Sequence, residues 1–210
     1  GAVAGVRFGG TFRPHVAITQ CCRPLCVPLE VTESHENLIL EIEGRPAMQV
    51  LRELAPEEVL EQSETAFNYI FVGLVPDPRE QDVRPGEYLI RNIVAADDDT
   101  GVIGISEEVE EGQRLVFAMR EAAAAREDMK RMLDGLVRAG DPDRFRFGLY
   151  FNCLARGRSL YREDGIDAGL LSRALPGLPL LGFFCNAEIA PLRGVNHLFT
   201  YTGVLVLVGE

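Results

Sequence analysis

Long apolar runs are missing from this chain. The longest extend about eight residues, well short of the roughly 20 that a helix needs to cross a bilayer. A membrane-spanning role is therefore not expected. No signal-peptide pattern is present, and the sequence opens on Gly1 and continues Ala-Val-Ala-Gly-Val. A start of this kind is expected of a chain that begins inside a longer protein. Positive charge is also scarce: 21 Lys and Arg stand against 32 Asp and Glu, for a net charge of -11. The basic residues cluster only briefly, at Arg156, Arg158 and Arg162. Such a surface repels phosphate backbones, so nucleic acid is not an expected partner. There is no internal repeat of about 20–50 residues and no low-complexity segment.

Cysteine is neither abundant nor even in number. The five are Cys21, Cys22, Cys26, Cys153 and Cys185. An odd count in a chain of 210 residues argues against a disulfide framework and for reduced thiols in a cytoplasmic protein. Cys21, Cys22 and Cys26 lack a second Cys or His pair at finger-like spacing, and His15 and His35 are isolated, so no metal site is expected. The acidic run Asp97-Asp98-Asp99 lacks the longer loop and terminal Glu of a calcium hand and reads as a solvated turn.

What remains is an ordinary globular composition, 47% hydrophobic and 25% charged. Apolar β-prone runs predict strands over 2–8, 15–19, 29–33, 38–43, 67–75, 88–96, 101–106, 114–119, 145–153 and 197–208. Helical periodicity predicts a helix after Pro46, a second over 57–66, the clearest one over 120–138, and another over 166–174. Gly140, with Pro142 beyond it, is expected to close the third. Strands outnumber helices and are joined mostly by short turns. The expected class is α+β, with a mixed, mostly antiparallel sheet and helices packed on its faces.

Residues 178–197, LPLLGFFCNAEIAPLRGVNH, organise the rest. The apolar run 178–185 reads as a buried strand that passes without a turn towards Glu188, with Pro191 and Gly194 as breaks. A carboxylate at the end of a core strand is costly unless it is paired or hydrogen-bonded. Glu188 thus has either a built-in partner or a ligand. Three stretches at strand ends carry the candidate chemistry: Gln20–Pro24, Asn152–Arg158 and Asn186–Pro191.

These same stretches carry a family resemblance. Phe151-Asn152-Cys153-Leu154-Ala155-Arg156-Gly157-Arg158 resembles the F-x-C-x-x-R-G-R stretch of the FIST domain, named for F-box and intracellular signal transduction proteins. Gly182 to Pro191 is similar to that family's G-F-F-x-x-G-E-I-G-P, followed as there by Asn196-His197 and a final strand. Gln20-Cys21-Cys22-Arg23-Pro24 is similar to its Q-G-C-R-P. On this resemblance, 1–45 is the tail of the amino-terminal FIST half and 46–210 is the FIST C-terminal domain. Ala187, Ala190 and Cys21 stand where the family usually has Gly, and their added atoms narrow a pocket or restrict the backbone.

The resemblance implies a small-ligand-binding sensory domain of bacterial signal transduction. Amino acids or derivatives are its implied ligands, and a histidine kinase, a cyclic-dinucleotide enzyme or a chemoreceptor is its implied partner. It does not imply an enzyme. An amino acid needs a cation for its carboxylate and an acid for its ammonium, and Arg offers the bidentate fork that a carboxylate prefers. The implied ligand-binding residues are Arg156, Glu188, Cys153, Asn186, Arg23 and Arg158. The alternative to a shared Arg156–Glu188 pocket is that the two pair with each other or with backbone. Some relatives resemble haem-based nitric-oxide sensors, for which His197 is the first axial candidate and His35 the second. Two other classes remain: a thiol enzyme on Cys153 with His197, His15 or His35 as base, and a scaffold that only docks to a signalling partner.

Overall fold

The computed structural model describes residues 5–60, 69–77, 79, 86–138 and 144–209, with backbone alone at 58 and 60. The chain opens with β1 (Arg13–Gln20), β2 (Cys22–Pro24), β3 (Leu29–His35), β4 (Leu38–Ile42) and β5 (Arg45–Pro46). Helices α1 (Ala47–Leu54) and α2 (Glu57–Leu60) follow. Strands β6 (Ile70–Leu74), β7 (Leu89–Asp97), β8 (Val102–Ile105) and β9 (Arg114–Arg120) lead to the long helix α3 (Ala122–Arg138). Then come β10 (Phe145–Cys153), a 3-10 turn (Leu154–Arg156), α4 (Arg158–Tyr161) and α5 (Ile166–Ala174). The chain ends in β11 (Leu180–Cys185), β12 (Glu188–Leu192), β13 (Val195–Phe199) and β14 (Thr202–Gly209).

The strands make two main layers. One is a sheet of order β1-β14-β10-β11. In the other, β9, β3, β4, β8, β7 and β6 pair in sequence, and β6 pairs back on β9 to close a barrel-like ring. Among the described residues, β10 and β11 are the one parallel pair. The architecture is the expected α+β class, mixed and mostly antiparallel. Apolar side chains from the ring, among them Val31, Ile39, Val72, Ile103, Ile105 and Phe117, share one core with Phe199 and Val204 of the last strands. On the other side of the smaller sheet, Met129 and Leu133 of α3, Leu171 of α5 and Leu175 just past its end pack on Leu205 and Leu207. Residues 13–24 enter both layers, since β1 pairs with β14 and β2 with β9.

Helices 122–138 and 166–174 lie close to where their apolar spacing puts them. Within α3, Arg131 pairs with Asp128 at 3.0 Å. Asp128 also accepts the Thr19 hydroxyl and the Gln20 N–H, both at 2.8 Å, and so ties the helix to β1.

The structure corrects the reading of 178–197. The apolar run is not a core strand. β11 is an edge strand paired with β10 alone, and Leu181, Phe183 and Phe184 are 71%, 63% and 54% exposed. An apolar run specifies burial only when both faces are covered, and no described element covers this edge. Nor does the strand run on into Glu188: the chain bends at 186–187 and starts a separate hairpin, β12–β13. Pro191 does not end a strand, because this two-stranded hairpin has free edges on which a missing N–H is tolerated. Arg193 and Gly194, both at positive φ, make its turn. The expected strand 197–208 is divided at Tyr201, also at positive φ. Residues 5–8 are not in a strand. The rest of that call, 61–66 of the expected second helix, and the Gly140 cap lie outside the described residues.

Candidate functional site

β10 alternates its side chains across the sheet, so Tyr150 and Asn152 share one face and Phe151 and Cys153 the other. Past Cys153 the 3-10 turn carries Arg156 beneath the start of α5. Arg156 is the largest fully buried side chain described, at 0% exposure. Its guanidinium binds Asp167, in the first turn of α5, through Nε to Oδ2 at 3.0 Å and Nη2 to Oδ1 at 3.3 Å. Nη2 also reaches the Tyr161 hydroxyl at 3.2 Å. Asp167 also accepts from the Tyr161 hydroxyl at 2.7 Å, the Tyr150 hydroxyl at 2.9 Å and the Asn152 amide N–H at 3.1 Å. Asp167 thus accepts five hydrogen bonds and its acceptor capacity is full. Burial works against the Arg156 charge, but Tyr150, Asp167 and Tyr161 outweigh it and raise its pKa. Burial raises the Tyr150 and Tyr161 phenols, although Arg156 pulls both the other way.

Glycine makes this cluster possible. A Cβ on Gly203 of β14 would lie 2.2 Å from the Tyr150 hydroxyl oxygen, so only Gly lets that ring cross the neighbouring strand. Tyr161→Phe removes one donor to Asp167 and one acceptor for Arg156 while keeping the ring on which Arg126 stacks at 4.9 Å. Urea unfolding should show a loss of about 1–2 kcal/mol. An unchanged midpoint would mean that the hydroxyl carries no weight in the network.

One atom of the guanidinium is left over. Arg156 Nη1 is buried and has no hydrogen-bond partner among the described residues. Beside this network a cavity of about 700 Å³ opens between the 3-10 turn, α4, α5 and the inner side of β11. Its walls are mainly apolar, from Leu154, Ile166, Leu171, Leu181 and Phe184, and both Arg156 and Arg158 line it.

The other candidates are dispersed. Arg158 is exposed and ion-paired with Asp164 at 3.1 Å. Arg23, on β2, pairs with Glu121 at 2.9 Å, away from the cavity lining. Asn186 is exposed in the bend after β11. The Cys153 sulfur is buried and accepts the Tyr201 N–H at 3.3 Å. Burial raises its pKa against the pull of backbone N–H groups. Glu188 is 3% exposed, and both its carboxylate oxygens lack hydrogen-bond partners among the described residues. Burial pushes its carboxyl up to about 8, with the Arg156 charge pulling the other way. Glu188 and Arg156 therefore feel each other, but the ion pair of Arg156 is with Asp167 and Glu188 does not line the cavity. The bidentate edge expected for a ligand carboxylate is already occupied by Asp167, which leaves Nη1. His197 sits on β13 opposite Ala190, and His35 is exposed on β3. The cavity lining holds no His, Cys or Met, and its two tyrosine hydroxyls, of Tyr150 and Tyr161, are bonded to Asp167. Among the described residues no group of three His, Cys, Asp or Glu is placed to hold a metal ion.

Sequence reasoning missed Asp167, Tyr161 and Tyr150. The signals were present but weak: an acid in the first turn of a helix that follows a Gly, and polar residues two apart on a strand whose other positions, Arg146 aside, are apolar or Gly.

Comparison with known proteins gives a consistent assignment. The family model described as FIST C domain matches residues 47–191, and the one described as FIST N domain matches residues 1–45. An uncharacterized protein of Mycobacterium tuberculosis (strain CDC 1551 / Oshkosh) is 35% identical over 205 residues, which cover 98% of this chain and 53% of that protein. An uncharacterized protein of Mycobacterium bovis is 34% identical over the same shares. F-box only protein 22 of Homo sapiens is 30% identical over 103 residues, covering 49% of this chain and 26% of that protein. The chain spans about half the length of the mycobacterial relatives it matches.

Proposed function

The chain belongs to the FIST domain family, and from that premise we propose that it is the small-ligand-binding part of a cytoplasmic sensory protein in bacterial signal transduction. FIST domains are sensory domains of signal transduction, not a catalytic family, and no reaction is proposed here. The observation that carries the reading is the cavity of about 700 Å³ beside the buried Arg156 network. That volume suits a small metabolite, and the balance of apolar wall to a few polar groups is that of ligand sites in general. The proposed ligand is an amino acid or derivative with an apolar side chain. Its side chain lies on Leu181 and Phe184, and its acid end is met by Arg156 Nη1 and Arg158. Bound state is passed to a histidine kinase, a cyclic-dinucleotide enzyme or a chemoreceptor. No described helix is long and apolar enough to cross a membrane.

Thermal shift against amino acids, small carboxylates and haemin tests this. A ligand at 100 times its Kd adds about 2.7 kcal/mol, or roughly 5–10 °C in Tm for a chain of this size. Phe184→Ala and Arg158→Ala, both exposed positions, should each reduce the shift while leaving the fold intact. A panel with no shift on the folded protein would overturn the cavity reading. It would favour a second one, partner docking, for which the exposed Leu181, Phe183 and Phe184 on the free edge of β11 speak.

A further inference from the structure

Cys153 ends β10 and Cys185 ends β11, and the two are register partners in the parallel pair. Register partners on adjacent strands project from the same face, and neighbouring strands lie about 4.8 Å apart. That separation falls inside the window of roughly 4.4–6.8 Å between the Cα atoms of a disulfide. Both thiols are free. Burial raises the pKa of both thiols, Glu188 adds to it at each, and Cys153 adds to it at Cys185, so the pair reacts through the small thiolate fraction that peroxide draws off. Their surroundings differ. Cys185 is half-buried at the last position of an edge strand, before the exposed bend at Asn186. Cys153 is buried, and backbone N–H groups of Ala155, Tyr201 and Thr202 point hydrogen bonds at its sulfur. Such donors favour a developing thiolate.

We propose that Cys185 and Cys153 form a peroxide-sensitive dithiol whose oxidation staples the free edge strand β11 to β10. The Cys185 thiol, the more accessible of the two, attacks a peroxide oxygen. The O–O bond breaks, the sulfur becomes a sulfenic acid, and one water leaves. Cys153 then attacks the Cys185 sulfur, the S–O bond breaks, and the proton of Cys153 departs with the hydroxide as a second water. Two thiols lose two electrons and two protons, and one hydrogen peroxide becomes two waters. The staple falls on the strand whose residues Leu180–Phe184 form one wall of the cavity. Oxidation state and the shape of that wall are thereby linked. The chemistry itself does not depend on what the cavity binds.

Treatment of the reduced protein with hydrogen peroxide, followed by iodoacetamide and peptide mapping without reductant, tests this. The expected product has lost two hydrogens, shows three alkylatable cysteines in place of five, contains a peptide cross-linked through Cys153 and Cys185, and returns to five on addition of dithiothreitol. Cys185→Ser, at a half-buried position, should abolish the cross-link and leave Cys153 a thiol under the same dose. Cys153→Ala should let Cys185 run on to the sulfinic acid. Full alkylation of both residues after peroxide would overturn the proposal. So would a disulfide confined to Cys21 and Cys22, or sulfinic acid on Cys185 of the unaltered protein with no cross-link.

Discussion

Asp167→Ala is expected to destabilise the protein by about 3–5 kcal/mol, the range observed when one partner of a buried ion pair is removed. The guanidinium it leaves behind has 0% exposure and cannot turn to water. Its one carboxylate partner is gone, and Tyr150, Tyr161 and Asn152 lose the acceptor on which they converge. Unfolding in urea at pH 7 gives the number. Arg156→Leu combined with Asp167→Leu should lose clearly less than the sum of the single changes, because neither variant side chain leaves a buried charge behind. The coupling energy from that cycle is expected to exceed about 2 kcal/mol. A loss below about 1 kcal/mol for Asp167→Ala would show that the guanidinium finds water or another partner, and that the network does not hang on Asp167.

That cluster also shows what could be read from the chain beforehand. Arg156 and Glu188 were legible because each is a charge that follows closely on an apolar run of the sequence, where burial forces a choice of partner. The choice itself was not legible. Asp167 lies eleven positions beyond Arg156, across two short helical turns, and nothing in the spacing says that α5 returns its first turn to the foot of β10. Helices α3 and α5 could be read because their apolar spacing matches one covered face. β11 was misread for a related reason. Leu180 to Cys185 has the composition of a central strand, but coverage on both faces is a property of the tertiary structure. Here Leu181 and Phe184 border a cavity, and Phe183 stacks edge-on against Phe151 at 5.4 Å while remaining mostly exposed. The bends at 186–187 and at Tyr201 were hidden as well, because no Gly marks either.

Glu188→Gln is expected to stabilise the protein at alkaline pH and to lose most of that advantage as pH falls towards 5. The folded-state carboxyl is pushed up to about 8 by burial, with Arg156 opposing, while an unfolded chain releases that proton near the ordinary carboxyl value of about 4.3. Between those two values the folded state holds a proton that the unfolded state does not. Stability therefore falls as pH rises through this window and levels off above about 8. Below the window both states are protonated and the penalty vanishes. A Gln side chain resembles the protonated carboxyl in shape and charge, so it removes the pH-dependent part and keeps the packing. At pH 9 the variant should be more stable by about 2 kcal/mol, or roughly 4–8 °C in Tm. At pH 5, just above the ordinary carboxyl value, the difference should be no more than about 1 kcal/mol, or roughly 2–4 °C. Calorimetry across pH 5–9 decides it. A difference that is constant with pH would mean that Glu188 stays ionised in the folded protein, with donors that satisfy it. A difference that grows towards pH 5 would reverse the sign and place its carboxyl below the ordinary value. The expected result leaves a neutral, unpartnered carboxyl beside an Arg156 whose Nη1 is also unpartnered. Each of those groups lowers its free energy when a polar molecule reaches it, which makes the foot of β10 the part of this fold most responsive to what binds there.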